Sequence, residues 1–186
     1  MTDPLSPRLL ADGMLGRLAR WLRILGYDTA YDPQLGDNEL VRRARAEGRW
    51  LLTGDHELAG RPGMQTLLIE SEDLMAQLAQ VRSRLGPAKG GPFSRCPVCN
   101  APLVEVSPQE VRGRVPPFVL RTHSRFRCCP SCDRIYWPGS HWRRMKERLA
   151  QFEELNRVWH FNGDVLQSKA SDTDRESGEG GASGFD

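Results

Sequence analysis

No stretch of this chain approaches the ~18 consecutive apolar residues of a membrane span. The opening Met1-Thr2-Asp3-Pro4-Leu5-Ser6-Pro7-Arg8 has no apolar run of the secretory type. These absences predict a cytoplasmic protein with no membrane partner. Cysteine is sparse, five in 186 residues, and reduced thiols in that compartment favour metal over disulfide bonding. There is no phosphate-cradling glycine loop, because Gly13-Met14-Leu15-Gly16 lacks the Lys-Ser/Thr ending of a P-loop. No Ser/His/Asp set is suggested, and nothing repeats internally beyond two cysteine knuckles. The apolar fraction, 39%, is low for a compact domain, and a polar C-terminal tail explains part of it.

Those knuckles are the most specific feature present. Cys96-Pro97-Val98-Cys99 and Cys129-Pro130-Ser131-Cys132 each place two residues between thiols, so one turn of backbone aims both sulfurs at one point. Two such pairs complete a tetrahedral Zn²⁺ site; two structural disulfides are the competing reading. The 29 residues between the pairs require an insertion that leaves the site and returns. A closed four-thiolate site has no open position, so its metal is structural and the chemistry lies elsewhere. Cys128 is the odd thiol, read as a strand residue beside the ligands, with exchange for Cys129 as the alternative.

The net charge of +2 hides an asymmetry. Residues 1–92 carry 12 Lys/Arg and 12 Asp/Glu; residues 93–148 carry 11 against 4; residues 149–186 carry 3 against 8. A neutral domain, a basic module and an acidic tail follow in order. A basic module around a metal knuckle suggests a polyanionic partner, most often nucleic acid, although a solvated basic face has the same composition.

Along the chain, Arg8 to Asp12 reads as a short buried strand ending in an acid. Met14 to Leu25 has helical periodicity, with Leu15, Leu18, Ala19, Leu22 and Leu25 on one face and Arg17, Arg20 and Arg23 on the other. Gly26 closes that helix. Tyr27–Tyr31, Trp50–Thr53 and Met64–Ile69 read as further strands. Asp37 and Ser71 stand where helix N-caps belong, ahead of helices ending near Gly48 and Leu85. Strands alternating with helices predict an α/β fold, a parallel sheet with helices on both faces. Gly86 to Pro92 is a linker by composition. Pro116 and Pro117 argue against one continuous strand in the insertion, and His141 to about Trp159 reads as a terminal helix. The predicted organisation is a first domain over 1–88, a metal module with its helix over 89–160, and a disordered acidic tail over 161–186.

Asp12 follows the first strand, Asp55 follows the third, and Asp37 begins a helix. Ligands of open parallel sheets bind outside the carboxyl ends of the strands, where such acids converge. Clustered carboxylates repel unless a cation neutralises them, and hard oxygen ligands select Mg²⁺ or Mn²⁺. Each acid also has an ordinary role open to it: Asp37 and Asp12 as helix caps, Asp55 as a turn residue. Glu39 and Glu57 are candidates for a fourth carboxylate, and solvated surface is the other reading of both. Arg17, Arg20 and Arg23 can contact phosphates beside the acids. Arg112, Arg114, Arg121, Arg125 and Arg127 offer a second track, and Tyr136, Trp137 and Trp142 either stack on bases or pack internally.

Leu10-Ala11-Asp12-Gly13-Met14-Leu15-Gly16-Arg17-Leu18-Ala19-Arg20-Trp21-Leu22-Arg23 resembles the opening of the Mut-seven C-terminal (Mut7-C) RNase domain family. Leu51-Leu52-Thr53-Gly54-Asp55, the four knuckle cysteines and Arg134 to Trp142 are similar to later parts of it. The resemblance covers residues 8 to about 150. It implies a PIN-like core followed by a small zinc-ribbon domain, and a metal-dependent ribonuclease acting on RNA. Asp12, Asp37 and Asp55 fall where PIN nucleases place metal-binding carboxylates. The ribbon, with Arg121, Arg125 and Arg127, would hold RNA. Gly54 departs from the pattern, which has Arg before Asp55. The competing function is a non-catalytic RNA-binding protein with an inactive PIN-like core.

Overall fold

The structure is a computed structural model, and it describes residues 7–152. A compact unit runs to Trp142, and a second unit begins at Arg143. The first unit opens with β1 (Leu9–Ala11), a 3₁₀ turn (Gly13–Leu15), α1 (Gly16–Leu25) and β2 (Thr29–Tyr31). It continues with α2 (Asp37–Glu47), β3 (Trp50–Thr53), α3 (His56–Ala59), β4 (Thr66–Leu68) and α4 (Leu74–Leu85). The strands form a parallel sheet in the order β2-β1-β3-β4, with Leu10 opposite both Ala30 and Leu51. Residues 140–152 are helical; the rest of the expected terminal helix and the acidic tail lie outside the described residues.

Burial explains why so short a sheet holds. Alternation along each strand sends Leu10, Ala30 and Leu51 to one face, where they meet Leu40, Val41 and Ala44 of α2 and Leu58 of α3. Leu9, Ala11 and Leu52 are equally buried and alternate with that set, so they belong to the opposite face. α1 packs against α4. The apolar stripe of α1 is buried at Leu18, Ala19, Leu22 and Leu25, as its periodicity predicts. Gly26 ends α1 at φ +97, and a Cβ there would lie 2.2 Å from the Gly91 carbonyl oxygen, so only glycine fits.

Helix starts differ from expectation in two places. α2 has Gly36 as its N-cap, and Asp37 is its first helical residue, with no side-chain cap. Asp73, not Ser71, caps α4, accepting from the Met75 and Ala76 N–H groups through Oδ1 at 3.0 Å each.

The metal module holds β5 (Val104–Val106), α5 (Pro117–Thr122), β6 (Phe126–Cys128) and β7 (Ile135–Tyr136). Its strands form an antiparallel sheet in the order β5-β6-β7. Val111, Val115, Val119 and Phe126 make its small core. The proline pair does start a helix, with Pro117 in the first turn, where a missing N–H costs nothing. A parallel sheet flanked by helices and followed by a small antiparallel sheet bearing cysteines matches the expected PIN-like core and zinc-ribbon-like element.

Polar groups tie the ribbon to the sheet inside the first unit. Arg23 is only 5% exposed. Its guanidinium donates from Nε to the Thr29 carbonyl at 2.8 Å and from Nη1 to the Val98 and Pro97 carbonyls at 2.7 and 3.3 Å. The expectation of an RNA-facing Arg23 is therefore corrected: it is buried, with Nε and Nη1 turned inward onto backbone oxygens. Asn100 accepts from the Thr29 N–H at 3.0 Å and donates to Asp28 Oδ1 at 2.7 Å. Asp28, in the connection just before β2, is held by an ion-pair network. The buried Arg49 donates to Asp28 Oδ1 at 2.8 Å and to the Leu9 carbonyl at 3.1 Å, and pairs with Glu47 at 2.5 Å.

Burial works to raise the Asp28 pKa, but the Arg49 and Asn100 hydrogen bonds and the nearby Arg95 charge outweigh it and hold it below the ordinary value. A depressed carboxylate stabilises the fold in full above its unfolded pKa of ~3.9, and the contribution is lost as pH falls through the folded value. The urea midpoint of the wild type should thus fall more steeply than that of Asp28→Asn below about pH 4. Parallel curves would show that this carboxylate carries no pH-linked stability.

Candidate active site and cysteine cluster

β1 and β3 are neighbours whose following elements lead to opposite sides, since β1 continues to β2 on one flank and β3 to β4 on the other. The crevice at their carboxyl ends is the topological switch point, where parallel sheets place ligands. Asp12 leaves β1 at that rim, its N–H bonded to the Leu52 carbonyl at 3.0 Å. Thr53 ends β3 there and is fully buried. Its hydroxyl donates to Asp12 Oδ2 at 2.7 Å and accepts from the Asp55 N–H at 3.0 Å. One buried hydroxyl therefore fixes both the Asp12 side chain and the Asp55 backbone. Local sequence places Thr53 at the end of a strand; its reach to Asp12 follows from the pairing of Ala11 with Leu52, which no local pattern shows.

The ordinary roles of the acids can now be assigned. Asp12 precedes the 3₁₀ turn without a side-chain cap bond. Asp55 caps α3, its Oδ1 accepting from the Glu57 and Leu58 N–H groups at 2.7 and 3.1 Å. Asp37 is exposed, with Oδ2 3.4 Å from Arg61 Nη2. In each case the other carboxylate oxygen has no protein partner among the described residues. Among those residues the three acids do not form a set with ligand atoms mutually within 4.8 Å; the cysteines alone do. Glu39 pairs with Arg42 on α2, whereas the Glu57 side chain is exposed and unpaired.

Local packing shapes the rim. A Cβ on Gly16 would meet the Tyr31 hydroxyl at 2.5 Å, and that hydroxyl donates to the Gly13 carbonyl at 3.0 Å. A Cβ on Gly54 would lie 3.2 Å from Met14 Sδ. Met14 thus borders Gly54, the residue before Asp55.

The four knuckle sulfurs lie within 4.8 Å of one another. Cys99 and Cys129 are 3.3 Å apart, and Cys96 and Cys132 are 3.6 Å apart. Disulfide sulfurs sit at ~2.05 Å, while a ZnS₄ tetrahedron with ~2.3 Å bonds spaces its sulfurs by about 3.8 Å. The cluster is thus of metal-binding dimensions, and all five cysteines are free. The knuckles share a backbone plan. Asn100 and Asp133 directly follow the second cysteine of each, at φ 72 and φ 59, a left-handed conformation that Asn and Asp tolerate. Burial pushes the Cys129 thiol up to about 12. At Cys132 burial acts the same way but is outweighed by Arg134, which brings the thiol down to about 6. Cys128 is buried in β6 outside the cluster, as its strand reading predicts.

Of the predicted RNA-binding arginines, Arg17, Arg20, Arg121 and Arg125 are exposed and lack partners among the described residues. Arg127 donates to the Phe93 carbonyl at 2.6 Å and pairs with Glu105 at 3.3 Å. The three ribbon aromatics pack internally: the Tyr136 hydroxyl lies 3.1 Å from Cys96 Sγ, Trp137 joins the ribbon core, and Trp142 sits 5.2 Å from the Phe93 ring. No helix among the described residues is long and apolar enough to cross a membrane.

Neither curated proteins nor solved structures yield a match to this sequence. The Mut7-C RNAse domain does match, over residues 7–149, a span that takes in the rim acids, Thr53 and both knuckles. Family membership supports a ribonuclease-type activity and an association with RNA in general terms. With that span, the parallel core and the four-cysteine cluster in place, the chain belongs to the Mut7-C RNAse domain family.

Proposed function

We propose that the chain is an Mg²⁺- or Mn²⁺-dependent ribonuclease that hydrolyses RNA phosphodiester bonds at Asp12, Asp37 and Asp55. The observation that carries this reading is the Thr53 hydroxyl bridging Asp12 and Asp55 across the switch point. The donor set suits a hard cation, because each acid keeps one carboxylate oxygen free of protein hydrogen bonds. When bound, such an ion supplies charge neutralisation for the carboxylates and activation of water for in-line attack. Thr53 holds the Asp12 carboxylate in one rotamer, so its free oxygen needs no reorganisation. Arg17 and Arg20, on the first turns of the helix that starts at this rim, offer positive charge to the RNA backbone. Glu57, unpaired and two residues past Asp55, is the better-placed fourth carboxylate; Glu39 is held by Arg42.

The four cysteines would hold a structural Zn²⁺, with the ribbon aiding RNA binding. The purified chain should carry one zinc per molecule, measured by plasma emission spectrometry. Cys99→Ser together with Cys132→Ser should abolish the zinc and cut solubility. Full solubility with no metal in the wild type would contradict the assignment.

A non-catalytic RNA-binding protein is the second reading, favoured by the acids lying outside mutual 4.8 Å reach. The separating experiment is a time course on short RNAs of defined structure under Mg²⁺, Mn²⁺ and no added metal. Asp12→Asn should lose more than ~10²-fold in rate with an unchanged melting temperature, and Thr53→Val should lose ~10–100-fold, as supports of ligands do. Wild-type rates in Asp12→Asn would end the ribonuclease reading at this rim. RNA binding by the wild type with no product under either metal would establish the second.

A further inference from the structure

Large apolar side chains are seldom exposed in the described residues: Met14, Val98, Val104 and Phe118 are the ones that are, and Phe118 alone is aromatic. Phe118 is 62% exposed on α5. The next residue, Val119, is buried in the ribbon core, and Leu120 packs against it. The helix is therefore anchored on one side while Phe118 projects from another. Arg121 lies three residues on, so it shares the Phe118 face with Cβ atoms ~5–6 Å apart. Arg125 follows just past the helix end.

Neighbouring arginines sharpen the contrast. Arg114 is spent on Asp133 at 2.6 Å, and Arg127 on Glu105 and a backbone carbonyl. Arg121 and Arg125 are exposed and have no partner among the described residues. An exposed ring beside uncompensated cations is complementary to a ligand with both flat faces and negative charge. Tyr136, Trp137 and Trp142 are half-buried in internal contacts, so among the described residues Phe118 is the exposed large ring.

We propose that Phe118, Arg121 and Arg125 form a docking patch for unpaired RNA, with one base stacked on the Phe118 ring and the two arginines on flanking phosphates. This rests on the reading of the chain as an RNA-acting protein, and it narrows the substrate to RNA with accessible bases. Duplex RNA keeps its bases stacked and cannot offer a face to the ring.

The test uses the full chain carrying Asp12→Asn, so that RNA survives, and fluorescence anisotropy with a labelled unstructured RNA of about 12 nucleotides, within the size range of such sites. Adding Phe118→Ala should weaken binding about tenfold (~1.4 kcal/mol), within the range for one stacked base. Phe118→Trp should restore it, and affinity for a duplex of the same sequence should stay unchanged. Arg121→Gln with Arg125→Gln should flatten the log–log salt slope by about 1.4, the value for two single-strand phosphate contacts. A neutral Phe118→Ala overturns the patch and assigns the ring to a protein contact. Equal losses on duplex and single strand, or no recovery with Trp, also overturn it. If the parent binds RNA and the wild type cleaves it while Phe118→Ala is silent, the patch falls alone. If the parent binds no RNA and the wild type cleaves none, the patch and the ribonuclease reading fall together.

Discussion

Two parallel strands that sit side by side and send their connections in opposite directions leave an uncovered notch at their carboxyl ends. In this chain the strands are β1 and β3, and the notch is bridged by one buried threonine. The bridge costs the fold little, because the Thr53 hydroxyl is satisfied as donor and as acceptor. It also imposes order on charge. Asp12 is pinned through one oxygen, and Asp55 is pinned through its backbone and its cap to α3. What remains outward from these two acids is one unengaged oxygen each. Asp37 differs, being exposed at the start of α2 and, among the described residues, fastened by Arg61.

The ribbon is tied to the sheet by polar side chains directed at backbone and carboxylate groups. Arg23 reaches from α1 to the Thr29 carbonyl and to two carbonyls of the first knuckle. Asn100, the left-handed residue of that knuckle, closes the reciprocal contact with Thr29 and Asp28. A metal held by the cysteines would fix the knuckle backbone and with it the carbonyl acceptors of Arg23. Asp28 and Arg49 extend the network to Leu9 at the start of β1, the strand whose other end leads into Asp12.

The sequence made the parallel core readable because its signals are local. The α1 stripe, the strand Trp50–Thr53 and the glycine ends of α1 and α2 all appear where periodicity and turn chemistry put them. The cysteine spacing foretold a metal-sized cluster for the same reason. What escaped was set by tertiary contact. Arg23 sits at helical spacing from Arg17 and Arg20, and nothing in that spacing reveals that a knuckle 75 residues away supplies its acceptors. Asp28 lies between α1 and β2 with no local signal of its partners, Arg49 just ahead of β3 and Asn100 after the first knuckle. The true cap of α4, Asp73, lies two residues past a serine of equal capping chemistry, and only the backbone path chose between them. The α5 helix was hidden by its length of six residues, too short for periodicity to register.

The proposed chemistry requires the switch-point carboxylates to take up a divalent cation. The most direct measurement is a crystal structure of the wild-type protein grown with Mn²⁺, with anomalous data collected near the manganese edge. A manganese peak is expected in contact with the free oxygens of Asp12 and Asp55, with Asp37 or Glu57 drawn toward it, separate from a zinc peak among Cys96, Cys99, Cys129 and Cys132. Full zinc occupancy with no manganese at the rim, at millimolar metal, would contradict it.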